Sequence, residues 1–342
     1  MADLQEEPEA GPSVGAPETV PGPVLAGALE RAAALLAEHP VADGCNTLVW
    51  TLRQKPYHDT DTDIPRLLRS GAVGAQFWSL LTPVTGDRVV ADTLEQIDVA
   101  HELLGRYPDE LLVALTAGDL ADARNRGRIA SFLGPVPGST LTDSLGTLRA
   151  FHTLGVRSLA PAGAAWAQEG LTPFGHEVVR EMNRLAMVVD LTACPPDAAI
   201  EITESSRAPV MISHTAAAAL TRHPLNVPDE VLLAVRAAGG VCMVTFSAEQ
   251  TGDSLHAVAD HLDHIRSVAG PESVGLGACF GADPPHGHPA GLGDPSGYPR
   301  LIAELLDRGW PEPDLALLTW DNAARVLRDV EFTSRAAHHR KP

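Results

Sequence analysis

Lysine is nearly missing from this chain. Lys55 and Lys341 are its two lysines in 342 residues, and arginine supplies the rest of the 25 basic side chains. Set beside abundant Ala, Gly and Pro, the scarcity reads as a GC-rich coding bias of bacterial type rather than a functional signal. Positive charge is short overall: 25 Lys+Arg stand against 44 Asp+Glu, a net −19. Polyphosphate and anionic headgroups would repel such a chain, which excludes nucleic acid and acidic membrane surfaces as partners. No apolar run approaches the ~18–20 residues of a spanning helix. The opening Met1-Ala2-Asp3-Leu4-Gln5-Glu6-Glu7 has neither the basic nor the apolar region of a secretory signal. The expectation is a cytoplasmic protein. Four cysteines are too few for a disulfide framework at this length, so they are expected as reduced thiols. A hydrophobic share of 44% with 20% charged residues is nonetheless that of a globular chain.

Residues 1–22 are rich in Glu, Pro, Gly and Ala without apolar periodicity and read as a disordered tail. Residues 333–342, with His338, His339, Arg340 and Lys341, read as a second, solvated tail; metal binding by the His pair is the alternative. Between them, residues 23–332 alternate. Short apolar or β-branched runs occur at residues 41–42, 74–81, 111–115, 129–134, 156–159, 187–191, 210–213, 241–246 and 274–276. Helical patterns separate most of them. Leu94, Ile97, Ala100, Leu103 and Leu104 share one stripe, with similar periodicity at 144–154 and 258–268. Asp63-Ile64-Pro65 has the form of a helix cap followed by proline in the first turn.

Such alternation over some 300 residues implies a parallel sheet covered by helices. No Gly-x-Gly-x-x-Gly turn and no Gly-Lys-Ser/Thr loop is present, which favours a single (β/α)8 TIM-type barrel over a doubly wound sheet. Nine runs exceed eight barrel strands, so one is expected to be peripheral or not a strand. Chemistry would then lie at the C-terminal ends of the strands.

At those ends the chain resembles the membrane (renal) dipeptidase family of zinc metallopeptidases, within the amidohydrolase-like barrels. The resemblance is carried by Asp43-Gly44-Cys45-Asn46-Thr47, Gly74-Ala75-Gln76-Phe77-Trp78-Ser79, Ser144-Leu145-Gly146, Gly170-Leu171-Thr172-Pro173-Phe174-Gly175, Ser213-His214 and Asn226-Val227-Pro228-Asp229. It also runs through Asp260-His261-Leu262-Asp263-His264-Ile265 and Tyr298-Pro299, so that it covers residues from about 24 to 330 in family order. It implies the barrel fold, a homodimer, and in the family a dinuclear zinc centre that hydrolyses dipeptides.

The residues that would do this differ. In the family's Asp-Gly-His-Asn-Asp run the zinc-binding His and second Asp correspond here to Cys45 and Thr47. Counting back from Ser144, the bridging glutamate corresponds to Val136. A further zinc histidine corresponds to Ala193, beside Cys194, and the family's substrate arginine to Leu225. A substrate-binding histidine has given way in Ala162-Gly163-Ala164, and the catalytic aspartate to Cys279; His214 alone is retained among five ligands. Two divalent ions about 3.5–4 Å apart need a bridging carboxylate with further carboxylates and imidazoles. Alkyl groups and a hydroxyl supply neither.

Three readings follow. The favoured one is a lapsed enzyme, a pseudoenzyme serving as a binding or partner protein for a small peptide-like ligand or another protein, with no metal. The second is a repurposed enzyme whose Cys45, Cys194, His214 and Cys279, with Asp190, form a Cys/His or single-zinc pocket. The bland counterpart of both is that these cysteines merely fill space. A third, a working dinuclear peptidase recruiting His286 and His288, lacks a locatable carboxylate bridge. His58-Asp59-Thr60-Asp61-Thr62-Asp63 lacks the Gly and terminal Glu of a calcium loop, and His261 and His264 are assigned to helix packing or surface. Cys242 is assigned to the core. Asp43 and Asp190, if buried, need new hydrogen-bond partners or a raised pKa.

Overall fold

The computed structural model describes residues 23–53, 63–80, 86–281 and 287–338. Its strands are β1 (Val41–Asn46), β2 (Val73–Trp78), β3 (Leu111–Val113), β4 (Ile129–Leu133), β5 (Val136–Pro137), β6 (Ser158–Ala160), β7 (Val188–Val189), β8 (Met211–Thr215), β9 (Val241–Val244) and β10 (Val274–Leu276). All pairings between them are parallel. Seven strands form one sheet in the order β3-β4-β2-β1-β10-β9-β8, and β5-β6-β7 form a second. Single bridges join the two sheets at Leu133–Val156 and Asp190–Met211. Strand residues are buried almost throughout, as expected where helices cover one face and a packed interior fills the other.

Each of the nine apolar runs overlaps a strand. The peripheral one is β3, which pairs only with β4, at the end of β4 where that strand begins. Of the stripe on the helix Val89–Arg106, Ile97, Ala100, Leu103 and Leu104 are buried, but Leu94 lies exposed. Asp63 caps the helix Ile64–Ser70, accepting from the Arg66 N–H at 3.1 Å; the remainder of the acidic segment, His58–Thr62, lies outside the described residues. The helix Asn322–His338 runs across the expected boundary at residue 332, with Ser334 buried.

Two apolar clusters hold the molecule. The two sheets and their single bridges make a ring of strands that is not continuously hydrogen-bonded, and the larger cluster packs helices against it. The smaller gathers Ala42, Phe77, Phe132, Met211 and Met243, contributed by strands around the ring, and so forms its interior. Phe77 and Phe132 stack there with centroids 5.0 Å apart; each large apolar side chain buried this way contributes roughly 1.5–3 kcal/mol. Trp320, Leu327 and Val330 join this cluster. Trp320 also reaches Gly74, near the start of β2, so the C-terminal segment closes the end of the ring where the strands begin. The opposite end, where the strands finish, is left to the site.

Candidate functional site

Three strands deliver three ligating side chains to that end. Cys45 stands near the end of β1, His214 near the end of β8, and Cys279 just beyond β10. Their Sγ, ring nitrogen and Sγ atoms all lie within 4.8 Å of one another. Cys45 and Cys279 are joined as a disulfide, with Cα atoms 4.6 Å apart. The expectation of four reduced thiols is therefore corrected for this pair, while Cys194 and Cys242 are free. A sequence separation of 234 gave no hint of the pairing; it exists because β1 and β10 are neighbours in the ring.

The backbone holds the two cysteines together independently of the sulfur bond. Cys279 N–H donates to the Cys45 carbonyl at 3.0 Å. Asp43 Oδ1 accepts from Cys45 N–H at 3.1 Å and from Ala278 N–H at 3.0 Å. One buried carboxylate oxygen thus clamps both cysteine segments. Burial pushes the Asp43 carboxyl up to about 6, opposed by those two N–H donors. Tyr298 lies beside it, its own pKa raised by burial and then by the Asp43 charge. Cys279 sits at φ 61°, in the left-handed region that non-glycine residues rarely enter; strain of this kind collects at functional positions.

His214 is oriented by a second polar chain. Ser213 Oγ lies 2.9 Å from His214 Nδ1, and among the described residues no hydrogen bond to Nε2 is found. Ser213 Oγ is 3.1 Å from Thr192 Oγ1, which donates to Asp190 Oδ1 at 2.7 Å. The same Asp190 oxygen accepts the backbone N–H groups of Thr192 and Ser213 at 2.9 and 3.1 Å. Burial lowers the His214 pKa and the Asp190 charge opposes it, so the ring is favoured as the neutral base. Both persisting aspartates thus have new partners: each ties the ends of two strands together through N–H donors.

Other expected site residues stand apart. Cys194 is outside the three-residue cluster, and burial first, then the Asp190 charge, pushes its thiol up to about 12. Cys242 is fully buried, its thiol pushed higher still by burial. Thr47 spends its hydroxyl on the Phe280 carbonyl at 3.1 Å. Val136 is fully buried in β5, Ala193 lies at φ 57°, and Leu225 is exposed. His286 lies outside the described residues; His288 is held by the Phe246 carbonyl, 2.7 Å from Nδ1. Sequence reasoning missed Ser79, whose Oγ donates to Cys45 Sγ at 3.3 Å, and the Ser213–Thr192 relay. A Ser just after β2 and an Asp-Leu-Thr run offered only weak cues.

The model of membrane dipeptidase (Peptidase family M19) matches residues 29–341. The chain belongs to the membrane dipeptidase family. Dipeptidase 3 of Mus musculus is 39% identical over 335 residues, covering 88% of this chain and 66% of the relative. Dipeptidase 3 of Homo sapiens is 36% identical over 345 residues, covering 91% and 69%. The chain thus spans about two thirds of these relatives' length. Among solved structures, a probable dipeptidase from Pseudomonas aeruginosa aligns with TM-score 0.79 and 18% identity, covering 90% of this chain and 99% of that one. A metallo peptidase from Rhodobacter sphaeroides, liganded with a phosphinate mimic of the dipeptide L-Ala-D-Ala, aligns with TM-score 0.75 and 23% identity, covering 85% and 99%. These similarities establish the barrel. No helix among the described residues is long and apolar enough to cross a membrane.

The family's zinc pair does not fit the residues present. Val136 and Ala193 carry no donor atom, and the Thr47 hydroxyl is already committed to a carbonyl. Cys45 and Cys279 are bonded to each other. What remains is a set for at most one ion: two sulfurs once reduced, and one imidazole.

Proposed function

We propose that this member of the family keeps the dipeptidase barrel as a binding or partner protein and does not perform paired-zinc dipeptide hydrolysis. One observation carries the reading: Val136 stands, fully buried in β5, where the family resemblance implies a bridging carboxylate. Without that bridge two cations about 3.5–4 Å apart repel each other with nothing between them. Cys279 in place of a carboxylate removes the general base at the same address. The ligand class in this reading is a small peptide-like molecule or a second protein. The protein acts as a cytoplasmic homodimer of bacterial origin, in a compartment where thiols are generally kept reduced.

The test is an assay of L,L- and L,D-dipeptides with purified protein, zinc-supplemented and with or without a chelator. No turnover above the buffer rate is expected. Turnover abolished by the chelator overturns the proposal. A second reading, a repurposed enzyme with a Cys/His pocket, is favoured by the convergence of Cys45, His214 and Cys279.

A further inference from the structure

The two sulfurs and the imidazole at the barrel mouth admit two mutually exclusive states. In the disulfide, neither Cys45 nor Cys279 offers the thiolate that a metal requires. We infer that reduction of this disulfide by a dithiol opens a mononuclear zinc site made by Cys45, Cys279 and His214, so that zinc occupancy reports the thiol redox state. The inference rests on the reading that the paired-zinc centre is lost.

The step balances. A dithiol's two sulfurs form a new disulfide while the Cys45–Cys279 bond breaks, and the dithiol's two protons pass to the protein sulfurs. Zinc then displaces those two protons to solvent and binds two thiolates and one neutral imidazole, giving a site whose protein charge and ion charge cancel.

Geometry supports this because reduction does not release the ligands. The Cys279 N–H···O=C Cys45 bond at 3.0 Å and the Asp43 clamp hold the two segments side by side whether or not the sulfurs are bonded. The freed sulfurs need only separate to about 3.8 Å, the spacing set by tetrahedral geometry and Zn–S bonds of roughly 2.3 Å. His214 is held in orientation: Ser213 Oγ sits 2.9 Å from Nδ1, the kind of hydrogen bond by which metal-bound histidines are commonly positioned, and a ring nitrogen lies within 4.8 Å of both sulfurs. Ser79 Oγ, 3.3 Å from Cys45 Sγ, donates to the sulfur and favours the thiolate. Three protein ligands leave a fourth zinc position open to water or to a carboxylate of a bound ligand.

The experiment treats the full chain with dithiothreitol, removes the reagent anaerobically, and titrates with zinc chloride and, separately, cobalt(II) chloride. The reduced protein is expected to take up one zinc per chain with release of two protons, and its cobalt form to show thiolate-to-metal charge-transfer absorption. The oxidised protein is expected to take up none. Cys45→Ser with Cys279→Ser abolishes uptake, Cys194→Ala leaves it unchanged, and Ser213→Ala weakens it by about 10–100-fold. The inference is overturned by reduced wild-type protein that binds no zinc, by equal uptake in oxidised protein, or by a cobalt spectrum without thiolate bands. That spectrum is read on wild-type chain, so it stands even where a variant fails to fold. Two zinc ions per chain with dipeptide turnover would overturn the proposed function as well, whereas an absence of zinc without turnover sinks this inference alone.

Discussion

Glycine at two positions is what lets the strand ends come close enough to share a site. A Cβ on Gly277 would meet the Ser213 carbonyl oxygen at 1.9 Å, and one on Gly44 would meet the same oxygen and Met243 Sδ, each at 2.5 Å. Neither obstacle can be relieved by rotating one side chain, because Ser213 O belongs to the backbone beside His214. Gly277→Ala is therefore expected to destabilise the fold by about 1–3 kcal/mol, as overpacking does. It should also displace His214 from the cysteines. Chemical denaturation measures the first effect, and zinc uptake by the reduced variant the second; an unchanged denaturation midpoint would count against the close approach. At this scale Cys45, Cys279 and His214 could be placed at the strand ends by the family resemblance. Their joining could not be foreseen, since the disulfide depends on the pairing of β1 with β10, which no local pattern encodes. The roles of Asp43 and Asp190 were half legible. Their persistence was visible, but their acceptance of N–H groups from two strands each arises only where the folded strands lie side by side.

Among the elements, strands were the most legible because burial on both faces leaves continuous apolar runs. Helices followed where a stripe and a cap coincided, as at Ser144, whose Oγ accepts from Thr147 N–H ahead of the helix Leu145–Thr153. The two-residue β5, Val136–Pro137, is too short to leave a pattern. The helix Leu255–Ala269 carries a feature that periodicity hides. His261 is 1% exposed, accepting the Ala217 N–H on Nδ1 at 3.0 Å and lying 3.3 Å from Thr221 Oγ1 through Nε2. Burial lowers its pKa from 6.5 to about 4, with the Asp260 charge opposing and His264 adding to the shift. Above 6.5 the ring is neutral folded or unfolded, and its contribution is fully present. As pH falls from there toward 4 the unfolded chain takes the proton first, so stability is lost. The loss is at most on the order of 3 kcal/mol. His261→Gln keeps an acceptor without that proton equilibrium. Its urea midpoint is expected to fall less than that of the wild-type chain between about pH 7 and pH 4.5. Parallel acid slopes for the two proteins would assign the effect elsewhere.

The whole molecule is a ring whose first and last strands are neighbours, so a bond between Cys45 and Cys279 ties its two ends across a separation of 234 residues. Cross-linking positions so distant removes much of the freedom of the unfolded chain, a stabilisation of about 2–5 kcal/mol in the chain-entropy account. The folded ring changes little, because backbone hydrogen bonds already hold the cysteine segments together. Reduction is therefore expected to lower the urea midpoint while leaving the far-ultraviolet circular dichroism of the native state as it was. Cys45→Ser with Cys279→Ser should behave like the reduced protein under both conditions. Zinc should then restore part of the loss to the reduced wild-type chain and none to the double variant, since an ion bound only by the folded state stabilises it by about 2.7 kcal/mol at a hundredfold excess over its dissociation constant. Coincident midpoints with and without the dithiol would show that the ring is closed by its hydrogen bonds alone. A midpoint restored by zinc in the double variant would place the ion elsewhere than at Cys45, Cys279 and His214.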